Sequence, residues 1–126
     1  MSALGVHIVA FGYSFGLPPE AELVVDVRFL PNPNYVDALR PLTGLDPPVI
    51  AFMQGLSETK PFLEHLYSFV DYLLPHYASV KSTVTIAVGC TGGRHRSVFV
   101  AERLAEHLRA GENATISVTN RESAAA

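Results

Sequence analysis

The residues Gly89–Ser97, "GCTGGRHRS", bring a thiol, two hydroxyls, an imidazole and two guanidinium groups around paired glycines. An apolar run, "STVTIAVGC", precedes them, and "SVFVAERLAEHLRAG" follows with helical periodicity. A strand, a glycine turn and a helix start make a place for an anion. The first N–H groups of a helix have no internal acceptor, and its dipole favours negative charge at that end. Gly92 and Gly93 allow the backbone to turn tightly and to approach a ligand. Arg96 supplies a planar, permanently charged fork, and Thr91, His95 and Ser97 are further donors. Phosphate is the fragment these groups fit. The Gly-Lys-Ser/Thr ending of a nucleoside-triphosphate loop is missing.

Cys90, Gly93, Arg96 and Ser97 also fit the spacing C-x-x-G-x-x-R-[ST] of cysteine-dependent phosphatases. That chemistry needs a thiolate at the mouth of an N–H cradle and an arginine on the phosphoryl oxygens. Gly89 stands where a histidine commonly precedes the cysteine, and the general acid would have to be Asp26, Asp37 or Asp46. Catalysis by Cys90 and Arg96 is the minor reading, because a lone cysteine closing a strand is an ordinary small core residue.

The elements that position this loop follow from hydrophobic patterning. "GVHIVAFG" and "LVVDVRFL" read as strands, the second carrying Asp26 and Arg28 two residues apart and so on one face. Pro31–Pro48 contains five prolines and two asparagines and is expected to be ordered loop, with one or two helical turns within Tyr35–Arg40. "VIAFMQGL" reads as a short helix ended by Gly55. A long helix follows, with Phe62, Leu63, Leu66, Phe69, Val70, Leu73 and Leu74 on its apolar stripe, a cap at Ser57 or Thr59, and Pro75 marking its last turn. "ATISVTN" is a final strand, and residues 120–126 are expected to fray. The alternation predicts one α/β domain over residues 1–126, a small, mostly parallel sheet covered by helices. Ligands bind such sheets at the carboxyl ends of the strands. The Asp26/Arg28 pair and the Cys90 loop both fall there.

Composition narrows the functions. The chain has 126 residues, 48% hydrophobic and 17% charged, with net charge -3. It is long enough for one core, and no overall positive field draws it to nucleic acid or anionic lipid. No run approaches the roughly 20 apolar residues of a membrane span. A single cysteine excludes an intrachain disulfide and fits a reducing cytoplasm. His65, His76 and His107 lack metal-ligand spacing, so neither metal nor cofactor is expected.

"DVRFLPNPNY", "LRPLTGLDPPV" and "TIAVGCTGGRHRSVFVAERLAEHL" resemble the C-terminal domain of the RapZ family, bacterial RNase adapter proteins, from about Val6 to about Val118. The resemblance implies a fold like the sugar-phosphate-binding part of phosphofructokinase. It also implies a regulatory domain that senses glucosamine-6-phosphate and binds small RNAs. Carried over, the pocket comprises Asp26 and Arg28, the Asn32–Tyr35 turn with Asn34, and the loop from Cys90 through Thr91, Gly92, Gly93, His95 and Arg96 to Ser97. Asn34 replaces a histidine frequent in the family, and "TNRESAAA" replaces its basic C-terminal run. The family's N-terminal nucleotide-binding domain has no counterpart among these 126 residues, so ATP or GTP binding is not carried over as an expectation.

The leading expectation is therefore a binding or sensing domain for a sugar phosphate or other phosphorylated small molecule, not an enzyme. An RNA-binding adapter, acting as a homo-oligomer or with a separate nucleotide-binding protein, is the first alternative. A cysteine phosphatase is the second.

Overall fold

The computed structural model describes residues 4–111 and 114–122. Strand β1 is Leu4–Gly12, β2 Leu23–Asp26, helix α1 Pro47–Gln54, α2 Thr59–Ala78, β3 Thr83–Cys90, α3 Arg96–Ala110 and β4 Ala114–Asn120. The four strands form one all-parallel sheet in the order β2-β3-β1-β4. β1 is central. It pairs with β3 from Gly5↔Thr83 to Gly12↔Cys90, and with β4 from Leu4↔Ala114 to Ala10↔Asn120.

Alternation along β1 and β3 explains the layers. Leu4, Val6, Ile8, Ala10, Val84, Ile86, Val88 and Cys90 face the helices and share a core with Val98, Phe99, Ala101 and Leu104 of α3. α3 packs on β1, β3 and β4, and α2 packs outside α3. Of the predicted α2 stripe, Leu63, Leu66 and Val70 are buried, whereas Phe69 is half exposed. Pro75 lies inside α2, which continues to Ala78, and no side chain caps its start. The expected Tyr35–Arg40 turn begins earlier, as a 3₁₀ turn over Pro33–Tyr35.

The C-terminal expectation needs correction. The chain is held through Glu122: Arg121 N–H donates to the Ala10 carbonyl (3.0 Å), and Glu122 Oε2 accepts the Gly12 N–H (2.8 Å). Residues 123–126 of the expected frayed tail lie outside the described residues.

Candidate anion-binding site

The carboxyl ends of β1 and β3 meet at the Gly12↔Cys90 pair, and the loop Thr91–His95 rises from there into α3. Glycine is required at two points of this junction. Gly93 has φ +77°, and a Cβ on it would meet the Gly12 nitrogen at 2.5 Å. A Cβ on Gly12 would meet the Gly92 carbonyl carbon at 2.6 Å. The phosphatase-like departure at Gly89 has a physical cause as well. The Phe11 and Tyr13 rings occupy the place of any side chain there, at 2.4 and 2.6 Å.

Among the described residues, no protein group accepts the backbone N–H of any residue from Thr91 to Arg96. No side chain caps α3. The same residues, with Cys90, Asn32 and Asn34, line a cavity of about 200 Å³. That is smaller than the roughly 300–1,000 Å³ of drug-sized pockets, and suits a compact head group with the rest of the molecule extending outward.

Arg96 lies beside the cavity and is 4% exposed. Its Nη1 donates to the carbonyls of Arg28 (2.7 Å) and Leu30 (2.9 Å), while its Nε is buried without an acceptor. No carboxylate of the described residues forms an ion pair with it. A buried, unpaired cation is costly, and burial is tolerated when an anion or dense hydrogen bonding compensates it. Arg96 therefore does not present the free two-pronged fork expected of it; one prong is spent on backbone.

Arg94 is exposed but also lines the cavity, its Nη2 donating to the Pro41 carbonyl at 3.3 Å. His95 is buried with Nε2 on the Leu39 carbonyl (3.1 Å), and burial pushes its pKa down, which favours the neutral ring. Ser97 is fully buried and does not reach the cavity. It is locked to Cys90: the thiol donates to Ser97 Oγ at 3.2 Å, and Ser97 N–H donates back to sulfur at 3.4 Å.

Asp26 and Arg28 stand at the same sheet end but not in the cavity. Asp26 pairs with Gly89, so its side chain takes the face opposite to Cys90. There it binds Arg28 (2.7 Å), whose guanidinium stacks on Tyr13 at 3.8 Å. Arg28's hydrogen bonds hold the Asp26 carboxyl below its ordinary pKa. The one-residue parity of the strand separates what proximity along the sheet edge brought together. The other candidate acids are also committed, Asp37 to Arg40 and Asp46 to the Thr43 N–H.

Asn32 belongs to the turn expected at the pocket, and Gly44 was not among the expected residues. Asn32 lines the cavity and accepts the Asn34 N–H on Oδ1 at 3.0 Å, for which the "PNPN" turn sequence is the signal. Gly44 lets its loop lie against the start of α3, donating to the Arg94 carbonyl at 2.8 Å. A larger cavity, about 590 Å³, opens at the other end of the sheet beside Leu4, Leu74 and Leu108. Its walls are mainly apolar, and its Asp71 and His107 are bonded to each other at 2.8 Å. It lacks convergent donors.

Residues 4–124 match the family model described as RapZ C-terminal domain. The chain belongs to the RapZ C-terminal domain family. Among members of wider sequence, it is 47% identical over 122 residues to a nucleotide-binding protein of Brevibacillus brevis, covering 96% of this chain and 41% of that relative. It is 51% identical over 107 residues to one of Desulforudis audaxviator, covering 84% and 36%. It is 54% identical over 106 residues to one of Anaeromyxobacter dehalogenans, covering 83% and 36%. The chain thus spans about two fifths of these relatives. No helix among its described residues is long and apolar enough to cross a membrane.

Proposed function

We propose that this domain binds and senses a phosphorylated small molecule, a sugar phosphate of the glucosamine-6-phosphate kind, with the phosphate in the Thr91–Arg96 cradle. One observation carries the reading: among the described residues, buried Arg96 has no carboxylate partner, and the six backbone N–H groups of Thr91–Arg96 beside it have no acceptor. A phosphate dianion answers both needs at once. Hydrogen bonds to charged groups contribute about 1.5–3 kcal/mol each, enough for a small site to hold a small ligand. Arg94 adds charge at the rim, and Asn32 and Asn34 face the rest of the ligand. Cys90, tied to Ser97, serves as a packing residue of the loop rather than a nucleophile.

The relatives' name, nucleotide-binding protein, makes nucleotides a second ligand class for the same cradle. RNA is a weaker candidate, favoured only by the exposed aromatics Phe29 and Tyr35 on the loop leading to the asparagines. Thermal unfolding with inorganic phosphate, glucosamine 6-phosphate, glucose 6-phosphate and ATP tests the reading. A ligand at 100 times its dissociation constant stabilises by about 2.7 kcal/mol, and the amino-sugar phosphate should give the largest shift. No shift with any phosphate at millimolar concentration refutes it.

A further inference from the structure

The cavity beside Leu4, Leu74 and Leu108 is the electrostatic opposite of the cradle. The last turns of α2 and α3 and the first residues of β1 and β4 line it. Two helices thus bring their C-terminal ends to it, and such ends carry the negative pole of the helix dipole. Its volume, about 590 Å³, lies within the roughly 300–1,000 Å³ of small-molecule pockets.

Acceptors gather at one wall. Pro75 has no N–H to donate, so the Asp71 carbonyl four residues earlier lacks its helical partner. The Asp71 carboxylate lines the cavity: Oδ2 accepts from His107 Nε2 at 2.8 Å, and Oδ1 has no partner among the described residues. His107 is itself fixed, its ring stacked on Tyr67 with centroids 4.2 Å apart, and Tyr67 O–H donates to the Arg103 carbonyl at 3.3 Å. The imidazole therefore holds the carboxylate at the cavity wall. The other cations of the last helical turns, His76 and Arg109, do not line the cavity.

We propose that this cavity is a second ligand site, taking a small apolar cation: an ammonium group on a hydrocarbon or aromatic body. The ammonium meets the Asp71 carboxylate and the negative helix ends, and the body lies on Leu4, Leu74 and Leu108. The same groups repel an anion, so the two ends of the sheet select ligands of opposite charge. Nothing in this site depends on the phosphate reading.

Hexylammonium, hexanol and hexanoate share one hydrocarbon chain and differ only in head group. Methyl-resolved NMR titration of the full chain with each reads the site directly. Hexylammonium should saturate the shifts of the Leu4, Leu74 and Leu108 methyls with a dissociation constant of about 1 mM, the reach of a ligand of this size. Hexanoate should bind about tenfold more weakly or worse, with hexanol between them. Asp71→Asn, at an exposed position, should remove the preference for the ammonium over hexanol. Ala78→Phe, filling the space from an exposed helix position, should abolish binding of all three. Equal affinities for the three head groups in the wild type overturn the proposal, as does a preference for the ammonium that survives Asp71→Asn. Absence of saturating shifts at those methyls by about 20 mM hexylammonium overturns it outright.

Discussion

Gly92 and Gly93 are neighbours with opposite tolerances. A Cβ on Gly92 meets nothing within 4 Å, whereas one on Gly93 strikes the backbone of Gly12 and Phe11 from a positive φ. Gly93→Ala should therefore cost about 2–5 kcal/mol of stability, and Gly92→Ala no more than about 1 kcal/mol, measured by urea unfolding. Comparable losses at both would mean that the loop is looser than described. His95 gives a pH test. Its folded pKa is depressed below the ordinary value of about 6.5, so the unfolded chain binds more protons as pH falls through that value. Stability present above that pH should decline below it. His95→Gln should flatten the decline between pH 7.5 and 5.5, and an unchanged slope would assign the effect elsewhere. The loop's geometry was legible because paired glycines between an apolar run and a helical one mark a strand-to-helix turn. The roles of its two arginines were not, because a side chain's direction depends on carbonyls far away in sequence, such as those of Arg28 and Leu30.

At the scale of elements, hydrophobic periodicity located all four strands and all three helices, since each buries one face and must repeat with its own period. The order of strands was not readable. It depends on which pairs of distant segments win, and nothing local in β1 says that it will be central. The short C-terminal hold was missed for a related reason: "RESAAA" has no periodicity, yet Arg121 and Glu122 reach back to Ala10, Gly12 and Gly16. Removing the chain after Asn120 should lower stability by about 1–3 kcal/mol, because the Gly12 N–H loses a charged acceptor. A lower melting temperature by several degrees is expected. Full retention of the melting temperature would show those contacts to be idle.

For the whole molecule, charge sets the expectation toward RNA. With net charge -3, and with Arg103 and Arg121 paired to Glu106 and Glu122, few free cations remain to displace counterions from a phosphate backbone. The isolated chain should bind RNA no more tightly than about 10⁻⁶ M near physiological salt, measured by filter binding across a salt series. A nanomolar dissociation constant there would place the adapter reading above the sensor. The central position of β1 has a further consequence, in time rather than in energy. Of the four described strands it is the first to be synthesised, but its partners begin at Thr83 and Ala114. At about 5–20 residues per second, several seconds of synthesis pass before β3 can pair with it, and the far edge waits for β4. During that interval β1, whose Val6, Ile8, Val9, Ala10 and Phe11 are buried in the folded domain, has no sheet to join. The cradle, built where β1 and β3 end, cannot form until β3 has been synthesised and paired with β1.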